Sequence, residues 1–381
     1  MSLLRKLLLS LAAAMLLAGL SDVALAQKSR KPSPPKFQLQ YFNVPGRGAL
    51  MSAADINNLG QVVGYYEDSV GHLRAFFYDP AISATTAMDL EAMIDGAGVP
   101  TGWRLTHARS INDGGIILGE MAGSDPETGE PVRWGFVLDT LSTEPAVIPL
   151  PDIPGVDEFS RLRPVDINNN GDILCYYSAN GALWNVVFNP FLQSGPWFLD
   201  QPVWGSYSNK IGNATASSGA IVGIRLADGT LARWIPESDL LVNLGVGSNV
   251  MCVDINDAGY MVGSYNNSPM RLITPPPKTF NVGVQLTNWA SGINNSNDVS
   301  ISSGYLYRDD IGLVNLSSYL SGTTVDRTLW SNAALKGLGK IADRNVTSKY
   351  GQMIGTLSIR NADGTLYYQP YLLTPIAPTK R

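Results

Sequence analysis

Few side chains in this 381-residue chain are of types that do chemistry. It has two histidines, two cysteines and a series of turns rich in Asp and Asn. Zinc binding or imidazole acid–base work needs a partner cluster around a histidine, and neither His72 nor His107 has one in the sequence. His72 falls in a polar turn and His107 near the start of a strand, so both read as structural. No G-x-S-x-G, H-E-x-x-H or P-loop motif occurs. The stretch Asp166-Ile167-Asn168-Asn169-Asn170-Gly171-Asp172 has the opening spacing of a calcium loop. Calcium, however, needs an acid late in such a loop, and the ninth and twelfth positions here are Leu174 and Tyr177. The same Asp and Asn oxygens suit a turn closed by side chain–backbone hydrogen bonds. The sequence thus names no catalytic residue, no metal ligand and no cofactor.

The two cysteines invite a disulfide if the chain is exported. Cys175 closes a second strand and Cys252 lies in a first strand two repeats further on. That is too far apart for a bridge, so both read as small buried hydrophobes. The formal net charge is −5. It becomes slightly more negative if Arg5, Lys6 and Asp22 leave with a leader. Mild acidity without a basic stripe argues against nucleic acid and against an anionic membrane surface.

The elements that position these residues come from a repeat. Residues 53–66 read as strand, turn, strand: Asp55-Ile56, then Asn57-Asn58-Leu59-Gly60, then Gln61-Val62-Val63-Gly64. Copies follow at Ser110-Ile111-Asn112-Asp113-Gly114-Gly115, at Asp166-Ile167-Asn168 and at Asp254-Ile255-Asn256-Asp257-Ala258-Gly259. Weaker copies surround Gly219, Gly292-Ile293-Asn294 (with Asn297 at the turn-glycine position) and Gly351. A period of roughly 40–55 residues is that of propeller blades rather than helical solenoids. A third apolar run follows each hairpin, at 74–78, 133–138, 183–188, 231–235, 270–273, 305–307 and 366–373. A fourth often comes next, as at 87–90, 146–150, 197–199, 241–244 and 313–316. Four antiparallel strands per unit and seven units predict an all-β, seven-bladed β-propeller, with six blades as the alternative count. Residues 37–44 sit where a fourth strand is missing from the last unit, so the N-terminal strand should complete it and close the ring.

These units resemble the HAF-repeat family of exported bacterial proteins. The resemblance rests on Asp55-Ile56-Asn57-Asn58-Leu59-Gly60-Gln61-Val62-Val63-Gly64, then Arg74-Ala75-Phe76, then Asp89-Leu90. It departs at the namesake triplet, where Arg74, Trp134 or Gln369 stands in place of His. The resemblance implies export and a propeller, and it implies no particular activity.

Residues 1–26 have the basic start, apolar centre and Ala24-Leu25-Ala26 cleavage site of a secretory signal peptide. A secreted or periplasmic location after cleavage near Ala26 is therefore expected. Residues 27–36 form a basic, Pro-rich linker. The propeller should occupy 37–376, with a tail at 377–381. No further apolar run is long enough to span a bilayer.

The first-to-second-strand turns are short and alike, whereas the links between blades are long and varied. Binding residues concentrate on such variable loops. Those loops carry Trp103, Arg104, Arg161, Arg163, Trp204 and Trp330, the candidate ligand-binding set for a protein or glycan partner. Packing between blades is the competing role for each Trp. The expected function is a non-enzymatic, exported binding scaffold. The alternative is a carbohydrate-active propeller enzyme, a lyase or glycosidase, with Asp95, Asp152, Asp157 or Glu158 paired across the funnel. Oligomeric state has no signature in the sequence.

Overall fold

The computed structural model describes residues 36–125, 128–151, 162–203, 210–213, 220–245, 250–273, 277–280, 289–321, 338–341, 351–360 and 364–376. The inner hairpins of the first six blades pair where the repeat predicts. In the first blade Arg47–Ile56 runs antiparallel to Val62–Asp68, then Leu73–Tyr78 and Met88–Asp89 follow outward. The same order builds the next five blades, and with a seventh sheet completed by the N-terminal strand they make a seven-bladed β-propeller. First strands of neighbouring blades lie against one another and so ring the axis.

Closure is as expected. Phe37–Tyr41 pairs antiparallel with Leu366–Pro375, with Leu39 opposite Leu373 and Tyr41 opposite Tyr371. The last blade therefore takes its outer strand from the other end of the chain. A short fifth strand, Leu320–Ser321, pairs parallel to Phe37 and Gln38 on the outside. The core is divided by interface rather than pooled. Seven clusters of buried apolar side chains each draw on two adjacent blades. One joins Val63 and Phe77 of the first blade to Leu105 and Ile117 of the second. Another joins Ile354 and Leu372 of the last blade to Met51 and Val62 of the first. Strand alternation supplies this arrangement, since each blade must present an apolar face to both neighbours.

The glycines of the repeat have two separate causes. Gly60, Gly115, Gly171 and Gly259 adopt φ of 81°, 72°, 84° and 74°, the left-handed region the turn requires. Asn297 takes φ 64° where the sixth copy lacks its glycine. The glycine after the hydrophobic pair instead answers a bulge on the first strand, seen as register shifts at Ala53/Asp55, Ala108/Ser110 and Cys252/Asp254. The bulge pushes a carbonyl toward the second strand. A Cβ at Gly64, Gly119 or Gly263 would lie 2.1, 2.4 or 1.9 Å from the oxygen of Ser52, His107 or Met251.

Cys175 and Cys252 are both buried free thiols, and burial pushes the Cys175 thiol far up. Among the described residues no helix is long and apolar enough to cross a membrane.

Candidate functional site

The turns define two faces. The turn face carries the first-to-second and third-to-fourth turns; the link face carries the second-to-third turns and the inter-blade links. On the turn face, the Asp-Ile-Asn motif reaches across to the next blade at three levels. The Asp side chain takes the amide of the following blade's Ile: Asp55 from Ile111 at 3.0 Å, Asp166 from Ile211 at 3.3 Å and Asp254 from Ile293 at 2.9 Å. Next, Asn Oδ1 closes its own turn, as when Asn57 accepts from Leu59 and Gln61 and Asn168 from Asn170 and Asp172. Its Nδ2 donates to a carbonyl of the next blade, from Asn57 to Asn112, Asn112 to Asn168, Asn168 to Gly212 and Asn256 to Asn294. Outermost, Asp113 accepts from the amide and the side chain of Asn58 and from the side chain of Asn169, while its own amide donates to Asn169. Asp257 and Asn295 repeat that exchange. The calcium-like spacing at Asp166–Asp172 is thus a turn whose oxygens hold amides.

These residues line a polar cavity of about 130 Å³ on the axis, with Asp55, Asp166, Asp254 and Lys340 in its wall. Lys340 comes from the seventh blade, where Lys340-Ile341 stands in the place of Asp-Ile. Its ammonium pairs with Asp254 and is 17% exposed. Burial works against that charge, but Asp254, Asp166 and Asp55 together outweigh it and hold the lysine above its ordinary pKa. Asp55 is shifted upward chiefly by burial, with Lys340 opposing and Asp166 reinforcing. Between those two carboxylates lies Ser110, its Oγ 2.6 Å from Asp55 Oδ2 and 2.7 Å from Asp166 Oδ1.

A second titratable cluster lies on the first three strands of the second blade. Glu120 meets Arg109 at 3.1 Å, Arg133 at 3.8 Å and His107 at 4.0 Å. The His107 ring packs on Tyr65 of the first blade. Burial, helped by Arg109, pushes its imidazole down to about 4.

The sequence-derived binding set fares differently. Trp103 is 8% exposed and belongs to the core between the first and second blades. Its ring lies 4.2 Å from that of Trp134 and against Gly123, so packing takes it and a ligand on the link face cannot reach it. Arg104 and Arg163 open the first strands of the second and third blades and are half-buried there. Arg161, Trp204 and Trp330 lie outside the described residues, as do Asp152, Asp157 and Glu158. Asp95 is exposed in a left-handed turn at φ 51°.

The turn face carries what the loop argument passed over. Leu59, Ile82, Leu141, Phe191 and Leu192 are exposed there, Leu192 at 72%. Leu141 sits over Gly115 and Phe191 over Gly171. Hydrogen bonds clasp the third-to-fourth turns to the first-to-second turns, through Gln61–Asp79, Thr140–Gly115 and Asn189–Asn170.

The fold and its axial ring define a seven-bladed β-propeller protein. No family model matches the chain, and no curated protein matches it. Among solved structures it is similar to the tricorn protease, at 8% identity and a TM-score of 0.36, over 82% of this chain and 36% of that one. It is also similar to a triple arginine-to-alanine mutant of AofleA from Arthrobotrys oligospora, at 11% identity and a TM-score of 0.38, over 93% of each chain. The chain spans little more than a third of the tricorn protease chain. Likenesses this distant carry no argument about activity.

Proposed function

We propose that this chain is an exported, non-enzymatic propeller, of the kind its HAF-like repeats imply, that binds a protein partner. The observation carrying this reading is the row of exposed apolar side chains on the turn face of the first three blades: Leu59, Ile82, Leu141, Phe191 and Leu192. The Asn58–Asp113–Asn169 hydrogen bonds hold those three turns side by side on a rigid scaffold. Grouped apolar side chains rimmed by polar ones are the composition of a protein-binding surface. The reading moves the binding surface from the link face, where Trp103 is consumed by packing, to the turn face. Substrate turnover at the axis is disfavoured on two grounds. The axial carboxylates hold neighbouring blades through their amides, and a cavity of about 130 Å³ is well below the ~300–1,000 Å³ of common ligand pockets. The signal-like residues 1–26 support the export part of this reading.

The test is site-specific photo-crosslinking in the producing cell. A photoreactive residue at position 59, 141 or 192 should give discrete protein adducts, lost when the other apolar positions are changed to Ser. One at position 104 or 163 should give none. Adducts from the link-face positions alone would overturn the choice of face. Release of sugar ends from a polysaccharide, abolished by Asp55→Asn, would replace the reading with the carbohydrate-active one.

A further inference from the structure

Ser110 has one hydroxyl proton and two carboxylate oxygens at hydrogen-bond distance, Asp55 Oδ2 at 2.6 Å and Asp166 Oδ1 at 2.7 Å. A hydroxyl donates one hydrogen bond. If both carboxylates were ionised, one of these contacts would set lone pair against lone pair at a separation that only a shared proton makes favourable. All three groups are buried. We propose that Asp55, Ser110 and Asp166 share one extra proton, so that the first three blades are clasped at the axis by a chain that opens when this proton leaves. Asp55 carries the proton and donates it to Ser110 Oγ, and Ser110 donates to ionised Asp166. The same oxygen, Asp55 Oδ2, keeps a lone pair for the Ile111 amide.

The surrounding charges agree with this placement. Lys340 of the seventh blade is the cation facing both acids, and it is already paired to Asp254 of the fifth. One ammonium therefore serves three carboxylates. Burial and the neighbouring Asp166 favour a neutral Asp55 more than Lys340 and the Ser110 and Ile111 hydrogen bonds favour an ionised one. Loss of the proton leaves Asp55 and Asp166 repelling across Ser110 with nothing to bridge them. The inner turns of three successive blades, which carry Leu59 and lie beneath Leu141 and Phe191, then lose this bridge and keep their Asn and Asp113 hydrogen bonds. The device acts on the face of the proposed partner site but does not depend on that site.

The sign follows from linkage. A carboxyl whose native pKa is raised adds stability that is complete below its unfolded pKa and is lost as pH rises through the native one. The experiment is chemical unfolding of the mature protein across acid to alkaline pH, for wild type and Asp55→Asn, together with infrared difference spectra. The carboxamide that Asp55→Asn introduces donates permanently to Ser110. Between the unfolded and the native pKa the wild-type unfolding constant should therefore rise about tenfold per pH unit relative to the variant, and level off above the native one. A protonated-carboxyl band should also persist in wild type above the usual carboxylate range and be missing from Asp55→Asn. Should the variant fail to fold, the band in wild type and its loss in Ser110→Ala carry the test. Parallel pH profiles for the two proteins, or no such band in wild type, would overturn the proposal.

Discussion

Replacing Gly263 with Ala tests the first-strand bulge that the fifth blade shares with the first and second. The added Cβ would lie 1.9 Å from Met251 O, 2.9 Å from the Met251 carbonyl carbon and 3.2 Å from Cys252 Cα. All three are backbone atoms, so no rotamer change relieves the contact. A carbon–oxygen contact relaxes near ~3.3 Å, so the first and second strands must part by more than ~1 Å. That stretches the pairing of Cys252 with Gly263 and of Met251 with Ser264. Losing about two ladder hydrogen bonds costs about 1–3 kcal/mol, and overpacking adds a further 1–3. Ala recovers about 0.5–1 kcal/mol of the backbone entropy that Gly loses in a strand. The net expectation is a destabilisation of about 1–5 kcal/mol, read as a lower urea midpoint at unchanged slope. Gly312→Ala is the comparison, because a Cβ there meets nothing within 4 Å and the cost is its left-handed φ of 82° alone, about 1 kcal/mol. Gly263→Ala unfolding within about 0.5 kcal/mol of wild type would refute the close-approach account.

Other perturbations reach the axis and the seam. Lys340→Met removes the ammonium from Asp254, Asp166 and Asp55 and should cost about 3–5 kcal/mol at neutral pH, read as a lower urea midpoint. His107, held down at about 4, binds its proton later than the unfolded chain does; stability present above pH ~6.5 is lost as pH falls toward 4, by roughly 2–3 kcal/mol, and His107→Gln should flatten that acid limb. Deleting residues 1–36 should leave the melting transition in place, whereas deleting 1–44 removes buried Phe37, Leu39 and Phe42 and should abolish it; equal tolerance of the two deletions would refute closure by the N-terminal strand.

Much of the architecture was readable because one pattern carries several constraints at once. Asp-Ile-Asn, a turn residue with left-handed backbone and the pair before Gly each answer a separate contact, so their repetition fixes blade number and strand register together. Strand ends were placed within a few residues: 231–235 matched, while the fourth strand of the first blade is shorter than 87–90 because Leu90–Met93 turns into a helix capped by Asp89. The first strand of the seventh blade, Leu338–Ile341, was not readable. Lys340 replaces the motif Asp there, and the Asn that would signal a turn is absent. The axial ring was missed as a site, although its signal was present: an Asp repeated on the innermost strand must face either the axis or the next blade. Trp103 went the other way. Its loop position suggested exposure, but the glycine at 123 that leaves room for its ring lies on another strand, and no local pattern links the two.

The seam between Phe37–Tyr41 and Leu366–Pro375 also sets how the molecule bears load. The strands are antiparallel, with Phe37 opposite Pro375, so the two chain ends leave the ring side by side from the same edge. Tension applied between them would act across the ladder and break its bonds one at a time, starting at Phe37, instead of shearing all of them together. The parallel Leu320–Ser321 strand backs that first pair. A pull through the two termini would thus meet its weakest direction in the last blade. A load borne on the blade surfaces would spare it.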